Sequence, residues 1–536
     1  MANISDEMRG VVSGEVLVDE ETLTKDSRDA SVFEMKPQVV VAVKDAKDIE
    51  NLVGFVTGKP GVSLTARAAG TDMSGGSLTD SVMVSVTEHM NKIIEVGNGY
   101  TIVEPGVMYR DLEKATLATN QIFPSYPASK NICAVGGIVA NNAGGEKSLK
   151  YGKTIKYVQE VKAVLADGKE YALSTLTGEI YNRVLELLKN NQQVIAEHRP
   201  KVSKNSTGYQ IWDVYNKEKN TLDLPKLFVG SQGTLGIMTQ IKLGLVPVKK
   251  RHGLLIGFMR NFDNLPEIVH TVLKYKPDSF ESFDNYTFRL ALKYFSSFGQ
   301  ILSANYIKLA FAFLPEFFEV LLHGMPRLIL LVEFEEDDQR IIEEEIKNLA
   351  EELKKFSNMY IIRRAATEAE AEKYWAIRRE SFNLLRHKAG NLKAAPFIDD
   401  LCVVPEVLPE FLPKLYALLD EAKLLYTVAG HVGDGNFHII PLMDLSKVEE
   451  RKKIYEVGEK VFDLALSYGG SLSGEHNDGL IRSPYIEKQF GPEIYKIFVE
   501  IKKIFDPQNI FNPHKKIGVT REYAEKYLIG GEKNDR

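Results

Sequence analysis

The chain has 536 residues, 44% of them hydrophobic and 26% charged, and a formal net charge of −6. That length suits roughly two to four domains with ordinary cores, and the interspersed acids and bases exclude the basic face of a nucleic-acid binder, so nucleic acid is not an expected partner. Two cysteines, Cys133 and Cys402, are too few for an iron–sulfur cluster or a disulfide framework, and the default compartment is a reducing cytoplasm.

The opening MANISDEMRG is acidic and polar, unlike a secretory signal, and residues 1–30 read as a lead-in with a short helix. PQVVVAV is predicted as a buried strand and VSLTARAAG as another. Between them DAKDIENLVGFV reads as a helix with Ile49, Leu52, Val53 and Val56 on one face. This alternation argues for an α/β unit. From residue 100 to 250 the strands TIVEPGV, YVQEVKAVLADGKEY and IMTQIKLGLVPV alternate with glycine-rich turns. ADGK is a hairpin signal, because Asp-Gly tolerates positive φ.

After LVPVKK the texture changes. HGLLIGF and RLILLVEFE read as strands and NLPEIVHTVLKYK as a helix. DQRIIEEEIKNLAEELKKF is an amphipathic helix with Ile342, Ile346, Leu349, Leu353 and Phe356 along one stripe. The longest apolar stretch lies within residues 301–334, interrupted by Lys308, Pro315, Glu316 and Glu319. A spanning helix needs ~20 nearly uninterrupted apolar residues, so no transmembrane span is expected. The stretch reads as a core helix followed by a strand, or as a surface that docks a membrane or an electron-accepting partner. The expected division is a first domain over 1–248, an α+β cap over 249–424, and a segment over 425–536 that closes onto the first domain. That last segment ends in the helix EIYKIFVEIKKIF and the turn DPQNIFNP.

Three glycine-rich stretches punctuate the first domain: RAAGTDMSGGSL from Arg67, ICAVGGIVANNAGGEKSLKYG from Ile132, and FVGSQGTLGIMT from Phe228. Glycine lets backbone N–H groups approach a ligand, and successive N–H groups form a concavity for phosphate oxygens. None is a GxxxxGK[ST] loop or a GxGxxG opening a helix, which argues against a P-loop NTPase and a Rossmann dehydrogenase. One such cluster alone fits a tight turn in a β-rich domain. Three together point to a large dinucleotide.

Near the other end, AGHVGDGNFH and SGEHNDGLIR place His431, His438, Glu475 and His476 within one short region, although the chain has only ten histidines. Two imidazoles and a carboxylate form a ligand set for a divalent metal with an open position. His476, beside the glutamate, is then free to move a proton. Gly433, Asp434 and Gly435 disfavour a helix between His431 and His438. A seven-residue spacing on a flat strand would put the two rings on opposite faces. A bend at Gly433–Gly435 must therefore bring them together.

The order of these motifs resembles the FAD-dependent D-2-hydroxy-acid dehydrogenases of the vanillyl-alcohol-oxidase fold, a group that includes D-lactate dehydrogenase, the flavin subunit of glycolate oxidase and D-2-hydroxyglutarate dehydrogenase. The resemblance runs from DSRDAS near residue 26 to FDPQNIFNPHKKIG near 518. The family's RGGGTSLSGG, PATIGGNIATNAGG and GSEGTLG are matched at Arg67 to Gly76, Ala134 to Gly145 and Gly230 to Gly236. Its HxGDGNxH and GEHG are matched at His431 to His438 and Gly474 to His476. Departures are Ala68 and Ala69 for two glycines, Gln232 for a glutamate and Asn477 for a glycine.

The resemblance implies an α+β architecture: a two-subdomain FAD-binding domain and an α+β substrate cap. No histidine falls in the first loop, where covalent relatives attach their flavin, so non-covalent FAD is implied. The implied FAD contacts are Arg67, Ala68, Ala69, Gly70, Thr71, Asp72, Ser74, Gly75, Pro127, Ala128, Ser129, Gly136, Gly137, Asn141, Ala143, Gly144, Gly145, Gly233, Gly236, Ile237, Glu475 and Asn512. The implied metal ligands, for zinc, iron or manganese, are His431, His438 and Glu475, with His476 as proton acceptor and Asn436 as a further catalytic residue. The substrate carboxylate needs a cation whose fork matches it. EKYWAIRRESFNLLRHKAGNLKAAPFIDD offers Arg378, Arg379, Arg386, Lys388 and Lys393. The family's WxxR selects Arg378, and its lysine before PFxED selects Lys393. The same basic helix face could simply be solvated. Arg482 is a further candidate for a substrate or flavin contact.

The expected reaction is oxidation of a D-2-hydroxy acid, D-lactate or glycolate first, to the 2-oxo acid, with hydride passing to FAD. Electrons then leave to a separate acceptor: a quinone, an electron-transfer flavoprotein or an iron–sulfur protein. A homodimer and a peripheral membrane contact are compatible with this reading. Two other readings stand beside it: an alkyl-glycerone-phosphate-synthase-like flavin transferase, and a flavin electron-transfer subunit with no substrate of its own.

Overall fold

The computed structural model describes residues 4–287, 289, 322–388 and 392–531, without the side chains of 380–388. Three sheets organise these residues. A four-stranded sheet runs in the order Glu15–Leu17, Val39–Ala42, Val82–Ser85, Leu64–Arg67, and its last three strands are parallel. The helix Ala46–Val56, capped by the Asp45 side chain, buries Ile49, Leu52, Val53 and Val56 in the core beside that sheet. Each buried aliphatic side chain contributes roughly 1.5–3 kcal/mol relative to exposure.

A five-stranded antiparallel sheet follows, ordered Ile93–Gly97, Tyr100–Val103, Ile237–Gly244, Val158–Val164, Glu170–Ala172. The sequence ADGK makes its last hairpin turn, with Gly168 at φ 73°. Val164 and Ile237 pack into the core of the first sheet, so the two sheets share a hydrophobic boundary.

The third sheet has eight strands. Met359–Arg364, Arg251–Met259, Leu328–Glu336, Ser279–Asp284, Leu425–His431, Asn436–Met443 and Lys393–Ala394 pair in that order, and Leu401–Cys402 also pairs with Asn436–Met443. The helices Leu265–Lys274, Gln339–Leu353, Leu408–Glu421 and Val448–Ser467 contribute to its main core. On Gln339–Leu353 the buried residues are Ile342, Ile346, Leu349 and Leu353, the stripe the sequence defines, with Phe356 partly buried just beyond the helix.

This sheet corrects the expected division at residue 424. Ser282 and Phe283 pair with Gly430 and Ala429, so the strand carrying His431 belongs to the cap's own sheet rather than to a separate closing segment. Backbone pairing is longer in range than sequence texture, and composition does not change at residue 425. Within the apolar 301–334 region, residues 301–321 lie outside the described residues. Leu328–Glu336 is an inner strand, with Leu328 to Val332 buried. No helix among the described residues is long and apolar enough to cross a membrane.

Candidate active site

A cleft with about 760 Å³ of empty space opens where the glycine-rich loops meet. Its walls carry Arg67, Ala68, Ala69, Gly70, Thr71, Asp72, Gly136, Gly137, Asn141, Gly233, Gly236 and Ile237. The Arg67 side chain is buried, and its Nη1 has no hydrogen-bond partner among the described residues, while Nη2 donates to the Arg28 carbonyl. A buried guanidinium nitrogen without an acceptor fits an anionic ligand such as a pyrophosphate. Gly70 takes φ 66°, and an added Cβ would lie 2.3 Å from Arg67 Nη2 and displace the guanidinium. The residues thus fit a dinucleotide.

The remaining expected contacts do not line this cleft. Asp72 itself is a brace: its carboxylate accepts from Gly76 N (2.6 Å), Ser74 N (3.1 Å) and Asn141 Nδ2 (2.7 Å). Ser74 is fully buried behind it, and Gly75 packs on Phe33. Asn512 donates to the carbonyls of Gly76 and Gln232 and so ties two loops together. Ala143 and Gly145 flank Gly144, where an added Cβ would meet Glu475 Oε2 at 2.6 Å. Pro127, Ala128 and Ser129 follow Tyr126, whose carbonyl lies against Gly145.

The histidines meet through a hairpin. Strand Leu425–His431 turns through Val432–Asp434 and Gly435 into Asn436–Met443, pairing His431 with Asn436 and Ala429 with His438. Residues 429 and 431 share a strand face, so this register puts His431 and His438 on one side. Gly435 makes the turn: its φ is 66°, and a Cβ there would lie 1.8 Å from the Val403 carbonyl oxygen. The two rings stand edge to face, centroids 5.2 Å apart.

Glu475 arrives on an irregular segment held by Asp400. Asp400 Oδ2 accepts from Glu475 N (2.8 Å), His476 N (2.7 Å) and Ser473 Oγ (2.6 Å), and the Asp400 carbonyl accepts from Gly474 N. Asn477 then takes φ 69°, which is why glycine stands there in the resembling pattern and why asparagine is tolerated. Glu475 Oε1 ends 3.1 Å from His431 Nε2 and 3.3 Å from His438 Nε2. Ligand atoms 2.0–2.2 Å from a tetrahedral cation are separated by about 3.4 Å, so these three atoms fit one divalent metal.

Carboxylates behind the rings fix which nitrogen faces forward. His431 Nδ1 donates to Glu281 Oε1 (2.5 Å), and His438 Nδ1 to Asp399 Oδ1 (3.1 Å). Both Nε2 atoms are therefore the ones that present lone pairs in a neutral ring, the usual arrangement behind ligating imidazoles. His476 Nδ1 donates to the other oxygen of Asp399 (2.7 Å), and its ring stacks on His438 at 5.0 Å. At 24% exposure the His476 side chain is the most open of the three, against 6% for His431 and 12% for His438. Burial opposes charge on His438, but Asp399 and Glu475 outweigh it and push it up to about 10. The same opposition, with Asp399 and Asp400 prevailing, raises His476. Burial also opposes ionisation of Asp399, yet the two imidazoles hold its carboxyl well below the usual range.

Against this geometry the family comparison is decisive. The model for the C-terminal domain of FAD linked oxidases matches residues 251–516, and that for an FAD binding domain matches residues 37–174. The chain belongs to the FAD-linked oxidases. The chain is 28% identical over 523 residues to the D-2-hydroxyglutarate dehydrogenase of Escherichia coli (strain K12), across 91% of this chain and 49% of that protein. The chain thus spans about half the length of the D-2-hydroxyglutarate dehydrogenases it matches. It is 26% identical over 488 residues to the glycolate oxidase subunit GlcD of Bacillus subtilis (strain 168), across 90% of this chain and 89% of that one. Its fold is similar to that of 4-ethylphenol oxidase from Gulosibacter chungangensis, with a TM-score of 0.70 at 18% identity over 97% of this chain and 98% of that one. At that identity the likeness is one of fold, the vanillyl-alcohol-oxidase type.

The other expected site residues divide. Arg378 joins the cluster: its Nη2 and Nε lie 3.0 and 3.1 Å from Glu281 Oε2, one carboxylate away from His431. Arg379 pairs with Glu146. The side chains of Arg386 and Lys388 lie outside the described residues. Lys393 is not brought in. It is exposed on an edge strand opposite Met443, five residues beyond His438 and so about 17 Å along the strand and on its other face. Asn436 is fully buried and donates to Asp400 Oδ1 and the Leu401 carbonyl, which makes it a brace for the Asp399–Asp400 corner. Arg482, also fully buried, donates to the carbonyls of Asn477 and Asp399 and plays a similar part.

Sequence reading missed five groups. Glu281, 1% exposed, lies in SFESFD, an ordinary-looking strand. Asp399 and Asp400 stand in PFIDD, a run that in the resembling pattern serves only to mark Lys393. Lys153 donates to the carbonyls of Gly474 and Asn205, and burial pushes it down to about 7 against the pull of Asp400 and Glu475. Lys204, 2% exposed, has its Nζ 3.2 Å from both Asp434 Oδ2 and Glu475 Oε2. Lysines in KTIKY or SKNSTGY carry no sequence signal of burial.

Proposed function

We propose that this FAD-linked oxidase converts a D-2-hydroxy acid, glycolate or D-lactate first, to the 2-oxo acid, with a divalent cation assisting. The observation that carries the reading is the meeting of His431 Nε2, His438 Nε2 and Glu475 Oε1 beside the open ring of His476. The relatives' names agree on hydroxy acids, glycolate for one and D-2-hydroxyglutarate for another. FAD supplies the acceptor for two electrons and the carbon-bound hydrogen. A cation held by His431, His438 and Glu475 would make the substrate hydroxyl more acidic.

The protein's residues then have three tasks. Arg378, held by Glu281 through Nε and Nη2, offers its terminal Nη1–Nη2 edge to the substrate carboxylate. His476 uses Nδ1 to hold Asp399, so Nε2 is the atom that takes the hydroxyl proton. Asp399 keeps that tautomer and stabilises the imidazolium that results. A separate carrier, a quinone or a redox protein, then takes the electrons away.

Anaerobic mixing of the FAD-loaded protein with glycolate, D-lactate, L-lactate and D-2-hydroxyglutarate tests this. Loss of the oxidised flavin absorbance with at least one D- or achiral acid, and none with L-lactate, supports it. Retention of the absorbance with every acid refutes it.

A further inference from the structure

The two oxygens of Glu475 have different neighbours. Oε1 faces His431 Nε2 at 3.1 Å and His438 Nε2 at 3.3 Å. Oε2 faces away from them, toward the ammonium of Lys204 at 3.2 Å. Backbone backs that same oxygen, because at Gly144 even a Cβ would come within 2.6 Å of it. Lys204 is held in turn by Asp434, 3.2 Å from its Nζ, in the turn between the two histidine strands. The lysine side chain is 2% exposed. Pairing with carboxylates offsets the cost of burying an ammonium that deep.

We propose that Lys204 is a positioning residue that keeps Oε2 occupied, so that Glu475 ligates a cation through Oε1 alone. The inference rests on the metal-assisted reading above and extends it. A 2-hydroxy acid that binds by its hydroxyl and one carboxylate oxygen needs two positions on the cation. Two imidazoles and a single oxygen leave those two positions within five-coordinate geometry, which zinc-type sites reach during reaction. A glutamate bound through both oxygens would take one of them. Asp434 thereby gains a role too: it is a second carboxylate holding the lysine in place.

The test is the crystal structure of the FAD- and zinc-loaded protein as wild type, Lys204→Met and Lys204→Arg, with KM and kcat for glycolate measured on the same samples. In the wild type one Glu475 oxygen is expected at bonding distance and the other near Lys204. In Lys204→Met both oxygens are expected on the zinc, with KM raised about tenfold and FAD content unchanged. Lys204→Arg, which keeps the charge and protects folding, is expected to restore the single-oxygen mode and a KM within about threefold of wild type. Both oxygens on zinc in the wild type would overturn the inference while leaving the metal-assisted reading intact. So would a single-oxygen mode and unchanged KM in Lys204→Met. A wild type that holds no zinc at His431, His438 and Glu475 would overturn both.

Discussion

Asp399 holds the ring of His476, the candidate proton acceptor, and the ring of His438 at once: Oδ2 accepts from His476 Nδ1 at 2.7 Å, while the other oxygen of the same carboxylate accepts from His438 at 3.1 Å. One buried carboxylate thus orients both a candidate metal ligand and a candidate base. Asp399→Asn cannot serve both rings, because an amide offers one acceptor oxygen and a donor group. We expect flavin reduction by glycolate to slow by about 10²-fold or more, with FAD content unchanged. Stopped-flow absorbance on the FAD-loaded variant measures this, and a rate within a few-fold of wild type would contradict it.

His476→Gln removes the open imidazole but leaves His431, His438 and Glu475 in place. General-base catalysis contributes roughly 10²–10⁴-fold, so flavin reduction should fall by that order. Bound metal, read by elemental analysis, should stay at the wild-type level. His438→Gln should lose the metal and the rate together. Equal metal loss in both variants would remove the distinction drawn between ligand and base.

Arg378→Lys keeps the charge but not the fork, and it changes the partner of Glu281. KM for glycolate should rise about tenfold or more, with a smaller effect on kcat. Lys393→Ala, by contrast, should leave both constants within about twofold, since the side chain is exposed on the far face of its strand pair.

Gly435→Ala tests the hairpin. A left-handed residue other than glycine costs about 1–2 kcal/mol, and the Cβ would also press on the Val403 carbonyl. Thermal unfolding should shift downward and metal affinity should fall with it. Gly58→Ala, at φ 79° with nothing near its Cβ, carries the backbone cost alone and serves as the control.

Glu333, paired across the sheet with Ser279, supplies a pH dependence of stability. Burial, then Glu335 and Glu146, push its carboxyl up from 4.5 to about 8, against the opposing pull of Lys147 and Arg379. A folded-state value above the unfolded one means that its stabilising contribution is complete below pH about 4.5. That contribution is lost as pH rises through about 8. One pKa unit is about 1.4 kcal/mol, so the effect is a few kcal/mol at most. Glu333→Gln should therefore gain in Tm relative to wild type as pH is raised from 5 to 9. A Tm difference constant over that range would refute the assignment.

Much of the site was legible because its chemistry requires rare residue types at close spacing. Three of ten histidines in one region announced a cluster, and glycine-rich loops announced a cofactor cleft. The helix stripe Ile342, Ile346, Leu349, Leu353 was legible because helical periodicity is local. What escaped were groups whose meaning lies in long-range pairing. Glu281 reaches His431 across two strands 150 residues apart in sequence. Lys204 reads as a solvated lysine until the chain folds around it. Lys393 matched a pattern yet sits on the wrong face, since a pattern fixes spacing and not the side of a sheet. The division at residue 424 failed for the same reason: strand pairing joins Ser282 to Gly430.

The most direct test of the account is single-turnover flavin reduction by glycolate on one FAD-loaded sample, before chelation, after chelation and after zinc, iron(II) or manganese is restored. Two imidazoles and one carboxylate meeting on a cation predict about one metal per chain. They further predict loss of flavin reduction when it is stripped, retention of the yellow flavin, and recovery on readdition. Flavin reduction at an undiminished rate in the metal-free protein would contradict the account.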